Sequence, residues 1–253
     1  MADRIASNWY ESAFNALYPI IYAHRTAEAA LPEAEFAAKQ VALAPEDRLL
    51  DLCCGNGRHM VHLRNHVRRV VGLDFSGHLL ALAKQNCGDD ICAVRGNMRT
   101  LPFAAQSFDV VVNFFTSFGY FAKDADNAAV LGEISRVLSP GGRFFIDYVN
   151  VDNLRNALVK HSQRQLDAFT IVEQRWIDDA AHRINKRTVL TCADRLIAAA
   201  DESVRLYTHE EMRTMCKQAG LEITRVAGDY GGAPFNDAHP RMILIGKKSA
   251  RHG

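Results

Sequence analysis

The chain has 253 residues, enough for one large domain or for one domain with an insert. Apolar residues make up 48% and charged residues 23%, and the formal net charge of +1 gives no strong field toward nucleic acid or an anionic membrane. Six cysteines at 53, 54, 87, 92, 192 and 216 show no C-x-x-C spacing, which speaks against a zinc site or a disulfide framework and for a reducing compartment.

Residues 1–45 read as mostly helical and carry "WYESAFNALYPIIYAHR". Near the N-terminus Asp3 and Arg4 stand without any long apolar stretch, so the expectation is a cytoplasmic protein with no membrane span. From about residue 47 the periodicity alternates. "RLLDLC" (48–53) is a buried-strand run, "RHMVHLRNH" (58–66) a helix, and "RVVGLD" (69–74) a second strand. "SGHLLALAKQN" follows as a helix with Ser76 as its N-cap. "ICAVRG" (91–96) and "FDVVVNFF" (108–115) are strands three and four. "NAAVLGEISRVL" (127–138) is an amphipathic helix closed by Ser139-Pro140-Gly141-Gly142, and "RFFIDYVN" (143–150) is strand five. Such alternation predicts a parallel sheet covered on both faces.

The next 55 or so residues break that rhythm. "FTIVEQRWID" and "RINKRTVLTCA" alternate apolar and polar, and "RLIAAADESVRLY" offers a third strand, so an antiparallel sheet is expected as an insert. Thr208 and Glu211 then form a T-x-x-E capping box, and two strands finish the chain, "LEITRVAGDY" and "RMILIGKK". The expected architecture is a Rossmann-like, doubly wound, seven-stranded sheet, mostly parallel with the last strand antiparallel. Residues 1–35 form a helical cap. Residues 36–150 and 206–248 form the ligand-binding domain, and 151–205 form an antiparallel lid.

In an open parallel sheet, ligands bind beyond the carboxyl ends of the strands. There "LLDLCCGNGRHMVHL" places Asp51 at a strand end and Gly55 and Gly57 in the following turn. Glycine lacks a Cβ that would block a ligand, and the next helix start offers free N–H groups. Asp74 ends strand two, where an acidic residue reaches ribose hydroxyls in Rossmann geometry. A dinucleotide loop would need a third small residue at position 60, and Met60 stands there. What remains suits a nucleoside with a charged amino-acid tail better than a diphosphate.

At these residues the chain resembles the class I S-adenosylmethionine-dependent methyltransferases, in their small-molecule branch. "LLDLCCGNGRH" resembles the glycine-rich first motif and "VVGLDFSGHLLALA" the acidic second strand. "GNMRTLPFAAQSFDVVVN" resembles the adenine loop with strand four, and "ISRVLSPGGRFFIDYVN" the approach to strand five. The resemblance covers roughly 35–150, and 208–248 fit the same fold. It implies S-adenosylmethionine as cofactor and S-adenosylhomocysteine as product. Asp51 and Cys53 lie in the first motif, and Gly55 and Gly57 would pass the methionine tail. Asp74 would take the ribose hydroxyls and Phe75 one face of the adenine, with Asn97 and Met98 at its edge. Many relatives carry aspartate where Asn97 stands. Asn113 and Phe114 would face the methionine moiety, and Arg25 is placed at its carboxylate by position alone.

Plainer roles compete with these. Asp51 and Asp74 also suit turns, and Arg25 suits a surface or a cap. Cys53 and Cys54 read chiefly as small packing residues, although Cys54 can adjoin a ligand through its backbone. Tyr10, Tyr18 and Tyr22 recur at helical spacing and read equally as a packed stripe. His59, His62 and His66 share a helix face that reads as solvated, with no partner spaced to hold a metal. "NFFTSFGYF" (113–121), rich in aromatics beyond strand four, is expected to open onto the acceptor, with Phe118 and Tyr120 as wall residues. Tyr148 and Arg175 are further substrate candidates.

Methyl transfer from a sulfonium releases a neutral thioether and needs no general acid, so no catalytic residue can be assigned and none of the usual triads is required. The lid supplies Arg175, Trp176, Arg187 and Arg205. With no D/N-P-P-Y motif and no basic surplus, the expected acceptor is a small molecule, at nitrogen or oxygen, with no nucleic-acid or membrane partner and no metal. Two rivals stay open: a non-catalytic S-adenosylmethionine sensor, and an NAD(P)-dependent oxidoreductase.

Overall fold

The computed structural model describes residues 5–88, 91–193 and 195–249. Its N-terminal tyrosines do not share one helix. α1 (Tyr10–Ala13) and α2 (Tyr18–Ile21) are single turns. Asn15 Oδ1 accepts the Leu17 N–H at 2.8 Å, a local turn that competes with helix, and Pro19 can only sit in the opening turn of α2. Thr26 then caps α3 (Ala27–Gln40) by accepting the Ala29 N–H at 3.2 Å. The buried face of α3 is built from Ala30, Ala34, Ala37 and Ala38, and the last three pack with Leu49, Val110 and Phe145 of the sheet. Small side chains allow that close approach. α3 is therefore part of the sheet's helical layer.

β1 (Arg48–Leu52), α4 (Met60–Leu63), β2 (Arg69–Asp74), α5 (Gly77–Cys87), β3 (Cys92–Arg95), β4 (Phe108–Asn113), α6 (Asp124–Val137) and β5 (Leu138–Val149) follow in alternation. Ser76 caps α5, accepting the Leu79 N–H at 3.2 Å. β1 pairs in parallel with β2, with Leu50 opposite Val71, and with β4, with Leu50 opposite Val111. Val110, Val111 and Val112 of β4 are fully buried, the mark of a strand covered on both faces. The chain leaves β1 toward β2 on one side and toward β4 on the other. That reversal opens a crevice at the strands' carboxyl ends.

α7 (Val151–Ala157) leads into the insert: β6 (His161–Leu166), β7 (Phe169–Asp178), β8 (Arg183–Cys192) and β9 (Arg195–Arg205). These form one antiparallel sheet in the order β6-β7-β8-β9. Four strands stand where three were expected, because the edge strand "HSQRQL" carries almost no apolar signal. The insert is pinned to the loop after β4. Arg205 N–H donates to the Gly119 carbonyl at 2.8 Å, and Arg183 donates to the Phe121 and Tyr120 carbonyls at 3.0 and 3.1 Å. Gly119 has φ +88° and lies so close that a Cβ there would sit 3.0 Å from the Arg205 carbonyl oxygen.

After the capping box of Thr208 and Glu211 opens α8 (His209–Gln218), β10 (Leu221–Ala227) and β11 (Arg241–Lys248) complete the main sheet, of order β10-β11-β5-β4-β1-β2-β3. β11 runs antiparallel to both neighbours, so the seven-stranded doubly wound sheet has the expected form.

Candidate active site

The floor of the crevice is the turn from β1 into α4. Cys53 and Gly55 take left-handed backbone angles, φ +63° and +57°. A Cβ on Gly55 would meet only Leu79 Cδ1 at 3.9 Å, so the chain leaves open space there. Gly57 serves another purpose. Its Cβ would press on Cys87 Sγ at 3.0 Å and Ala83 Cβ at 3.1 Å, so it allows the turn to sit against α5. Asp74 ties the two strand ends together, with Oδ2 accepting the Gly55 N–H at 2.9 Å and Oδ1 the Ser76 N–H at 2.8 Å. Burial raises its pKa, and the backbone N–H groups of Ser76 and Gly55 oppose that rise.

A single cavity of about 640 Å³ extends upward from this floor. One half is lined by Cys53, Gly55, Asp74, Phe75, Asn97 and Met98, together with Phe114. Asn97 Oδ1 accepts the Arg99 N–H at 3.0 Å in a local turn, which fixes the side chain at the cavity edge. The other half is lined by Phe14, Tyr18, Tyr22, Phe115, Tyr120 and Glu202. Arg25 stands between them. Its Nη1 donates to the Tyr18 hydroxyl at 3.2 Å, and its guanidinium lies 4.0 Å from the Tyr22 ring centre. Among the described residues it has no carboxylate partner.

Several expected site residues do not line this cavity. Gly57 packs on α5 as described. Asp51 is 1% exposed, its Oδ2 has no hydrogen-bond partner, and burial, then the charge of Asp74, pushes its pKa up to about 8. Asn113 donates to the Leu52 carbonyl at 2.8 Å, while its own Oδ1 is buried without a partner. Asn113 is next in sequence to the wall residue Phe114, and Asp51 is two positions before the wall residue Cys53. Phe118 is buried in the core beside Tyr148 and Tyr207, with ring centres 6.1 and 5.7 Å away, so it is not an acceptor wall. Tyr148 is likewise fully buried, donating to the Arg205 carbonyl and accepting the Tyr207 N–H at 3.3 Å. Arg175 belongs to the inserted sheet, where it pairs with buried Glu173 at 2.6 Å. Phe118 and Tyr148, near the ends of β4 and β5, thus face the layer that holds Tyr207 instead of the crevice.

The structure adds residues that the sequence did not mark. His59 is buried, not solvated. Its ring stacks on Phe114 with centres 3.9 Å apart, and Nε2 lies 2.7 Å from Glu33 Oε2. Burial pushes its pKa down to about 4, against the hydrogen bond that Glu33 Oε2 accepts, so the imidazole is neutral near pH 7. Phe115 and Thr116 both have positive φ, +55° and +58°, a conformation that costs energy for non-glycine residues. Asp147 holds them there: Oδ2 accepts the Phe115 N–H at 2.8 Å, and the Asp147 carbonyl accepts the Thr116 N–H at 2.9 Å. Arg241 braces the same turn through Asp147 at 2.6 Å and Thr116 Oγ1 at 3.0 Å. An arginine opening an otherwise buried apolar strand was the available sequence signal for Arg241. Among the described residues, no group of three or more His, Cys, Asp or Glu is arranged to hold a metal ion.

Comparison with known proteins bears on this site. A family model described as "Methyltransferase domain" matches residues 49–142. The chain is 30% identical over 203 residues to the cypemycin N-terminal methyltransferase of Streptomyces sp, covering 78% of this chain and 81% of that protein. It is 26% identical over 229 residues to the dTDP-3-amino-3,6-dideoxy-alpha-D-glucopyranose N,N-dimethyltransferase of Streptomyces fradiae, covering 88% and 89%. In fold it is similar to CalS10, an amino pentose methyltransferase of Micromonospora echinaspora solved with S-adenosylmethionine bound, at TM-score 0.67 and 20% identity over 98% of this chain and all of that one. The chain belongs to the class I S-adenosylmethionine-dependent methyltransferases.

Proposed function

We propose that this methyltransferase acts on a nitrogen or oxygen of a small-molecule acceptor held in the aromatic half of its cavity, with S-adenosylmethionine in the half built around Gly55 and Asp74. The observation that carries this reading is the continuity of one cavity from the Gly55–Asp74 floor to Tyr18, Tyr120 and Glu202. The donor set fits the cofactor. Asp74 presents carboxylate lone pairs suited to ribose hydroxyls, and the Gly55 turn leaves the space that a Cβ would narrow. Phe75 and Met98 offer apolar faces for an adenine, with Asn97 at its edge. The unpaired Arg25 suits the methionine carboxylate. The orphan oxygens of Asp51 and Asn113 lie behind the cavity wall, where a water could link them to the methionine ammonium.

When bound, the cofactor supplies an electrophilic methyl whose departing thioether is neutral. The chain's residues then have three tasks: to bind both ligands, to orient the acceptor, and to exclude water. Arg58 and Arg241 are committed to Glu33 at 3.1 Å and Asp147 at 2.6 Å, so they stiffen the wall rather than meet the reacting atoms. The two relatives above, which align with more than two thirds of this chain, are named for nitrogen or an N-terminus, which favours nitrogen here, whereas quinone methyltransferases match over half of the chain or less.

Calorimetry with S-adenosylhomocysteine, followed by a radiolabelled-methyl screen of small amines and alcohols, tests the proposal. Binding of the nucleoside with label transfer to a small acceptor is expected. Tight NAD(H) binding without nucleoside binding would overturn it.

A further inference from the structure

Glu202 stands out on the acceptor side of the cavity. It sits on β9 directly across from Lys186 on β8, and the ammonium lies 2.6 Å from Glu202 Oε1. The Tyr22 hydroxyl donates to the same Oε1 and accepts from Lys186. A lysine on the neighbouring strand and a tyrosine 180 residues away thus fix one oxygen of one carboxylate. The other oxygen, Oε2, has no partner among the described residues. Apart from Asp74, Glu202 is the only carboxylate that lines the cavity among the described residues. Around it stand the rings of Phe14, Tyr18, Tyr22 and Tyr120, with Phe14 stacked on Tyr120 at 5.8 Å and tilted against Tyr18 at 5.2 Å.

We infer that Glu202 is the acceptor's anchor and that the acceptor presents a primary or secondary amine to its free oxygen. This rests on the reading above of where the cofactor and acceptor lie, and it narrows that reading from nitrogen or oxygen to an amine. A carboxylate oxygen only accepts hydrogen bonds, and its bond to a charged donor is about twice as strong as a neutral one. Aromatic faces favour a cation in the same place. The cavity's arginines do not reverse this preference. Arg58 and Arg241 are neutralised by Glu33 and Asp147, and Arg25 is assigned to the cofactor carboxylate. An acceptor carrying its own carboxylate would set acceptor oxygen against acceptor oxygen at Oε2, while the Lys186 ammonium is held at Oε1. An alcohol would make the bond without charge assistance. Lys186 and Tyr22 act through Glu202 and are positioning residues.

The test uses full-length protein saturated with S-adenosylhomocysteine, and the binding of that nucleoside is measured first. Phenethylamine, phenethyl alcohol and 3-phenylpropionate are then titrated by calorimetry, because they share one ring and differ in head group. The amine is expected to bind about tenfold or more tightly than either of the others. The K186Q/E202Q double variant removes the ion pair as a unit. It should lose that preference while holding the nucleoside within about twofold of wild type. Tyr22→Phe keeps the ring and frees Oε1, and should reduce the preference only in part. An alcohol or carboxylate that binds as well as the amine, no binding by any of the three, or a preference that survives in the double variant would overturn the inference. The wild-type ranking decides even if the double variant does not fold. Failure of the nucleoside itself to bind would instead count against the underlying placement of the cofactor.

Discussion

The two halves of the cavity are built in different ways. The Gly55–Asp74 half is made of short local pieces, Cys53–Gly55, Asp74–Phe75 and Asn97–Met98, each just past the end of a parallel strand. Register alone brings them together: Leu52 lies opposite Leu73 and Asp74 opposite Arg95. The Tyr18–Glu202 half has no such frame. Tyr22 and Glu202 are 180 residues apart and meet only because the N-terminal turns and the inserted sheet dock on the same loop. One half is fixed by backbone geometry, the other by tertiary packing. A fold can therefore keep its cofactor while its acceptor changes.

The first way to sharpen this contrast is pH, where the largest effect is expected. Asp51 has its folded pKa raised to about 8 from an ordinary 3.8, so between those values the native state holds a proton that the unfolded chain has released. Buried His59, with its folded pKa near 4, acts in the opposite sense between about 4 and 6.5, so stability should fall as pH rises from about 6.5 to about 8, by up to about 1.4 kcal/mol per unit, and level off above. Urea unfolding at several pH values should show this slope in wild type and a flatter one in Asp51→Asn. Equal slopes would place the charge elsewhere.

Asp74→Ala comes next. It removes the acceptor for ribose and should weaken S-adenosylhomocysteine binding by about 2–3 kcal/mol. It also strands the Gly55 and Ser76 N–H groups, so the melting temperature should drop as well. Asp74→Asn keeps an acceptor oxygen and should lose less of both. Calorimetry with thermal unfolding separates the two effects. Unchanged affinity in folded Asp74→Ala would remove this residue from the site.

The two glycines of the floor give a smaller and more discriminating pair. Gly57→Ala meets left-handed strain and contacts of 3.0–3.1 Å, and should cost about 2 kcal/mol or more of stability with little change in cofactor affinity once folded. Gly55→Ala meets strain of about 1–2 kcal/mol without a clash, but its methyl enters the cavity, so affinity should fall too. Identical affinity losses in both would mean that the cavity does not discriminate between them.

The smallest effect is expected from Tyr120→Phe, which keeps the stacking on Phe14 and removes one hydroxyl. Cofactor affinity should stay within about twofold while acceptor KM or kcat shifts by several-fold, because an acceptor contact acts only there. A loss of cofactor affinity as large as in Asp74→Ala would erase the division into halves.

Legibility in the sequence follows the same division. The parallel strands, Ser76, the Thr208–Glu211 box, Gly55 and Asp74 were readable because each depends on periodicity or on a local turn, whereas Phe75, Asn97 and Met98 were readable only through the resemblance to the methyltransferases. Strand β6 was not, since an exposed edge strand needs few apolar residues. The tyrosine helix was misjudged because Asn15 and Pro19 split it into two turns. In the sequence Phe118 reads as an acceptor wall because it lies in the aromatic run beyond strand four, and Tyr148 is a further candidate. They face the layer that packs Tyr207, a contact no spacing rule reveals. Glu202 could not be marked, since "ADESVR" reads as an ordinary polar strand until Tyr22 and Lys186 are seen beside it.

The central claim is that one cavity holds the cofactor in its strand-end half and opens its reacting end onto the aromatic half. A crystal structure with S-adenosylhomocysteine tests it most directly. The account predicts ribose on Asp74, adenine between Phe75 and Met98, and the sulfur facing the space bounded by Tyr18, Tyr120 and Glu202. A nucleoside lying among those aromatic residues, or a sulfur turned away from them, would contradict it.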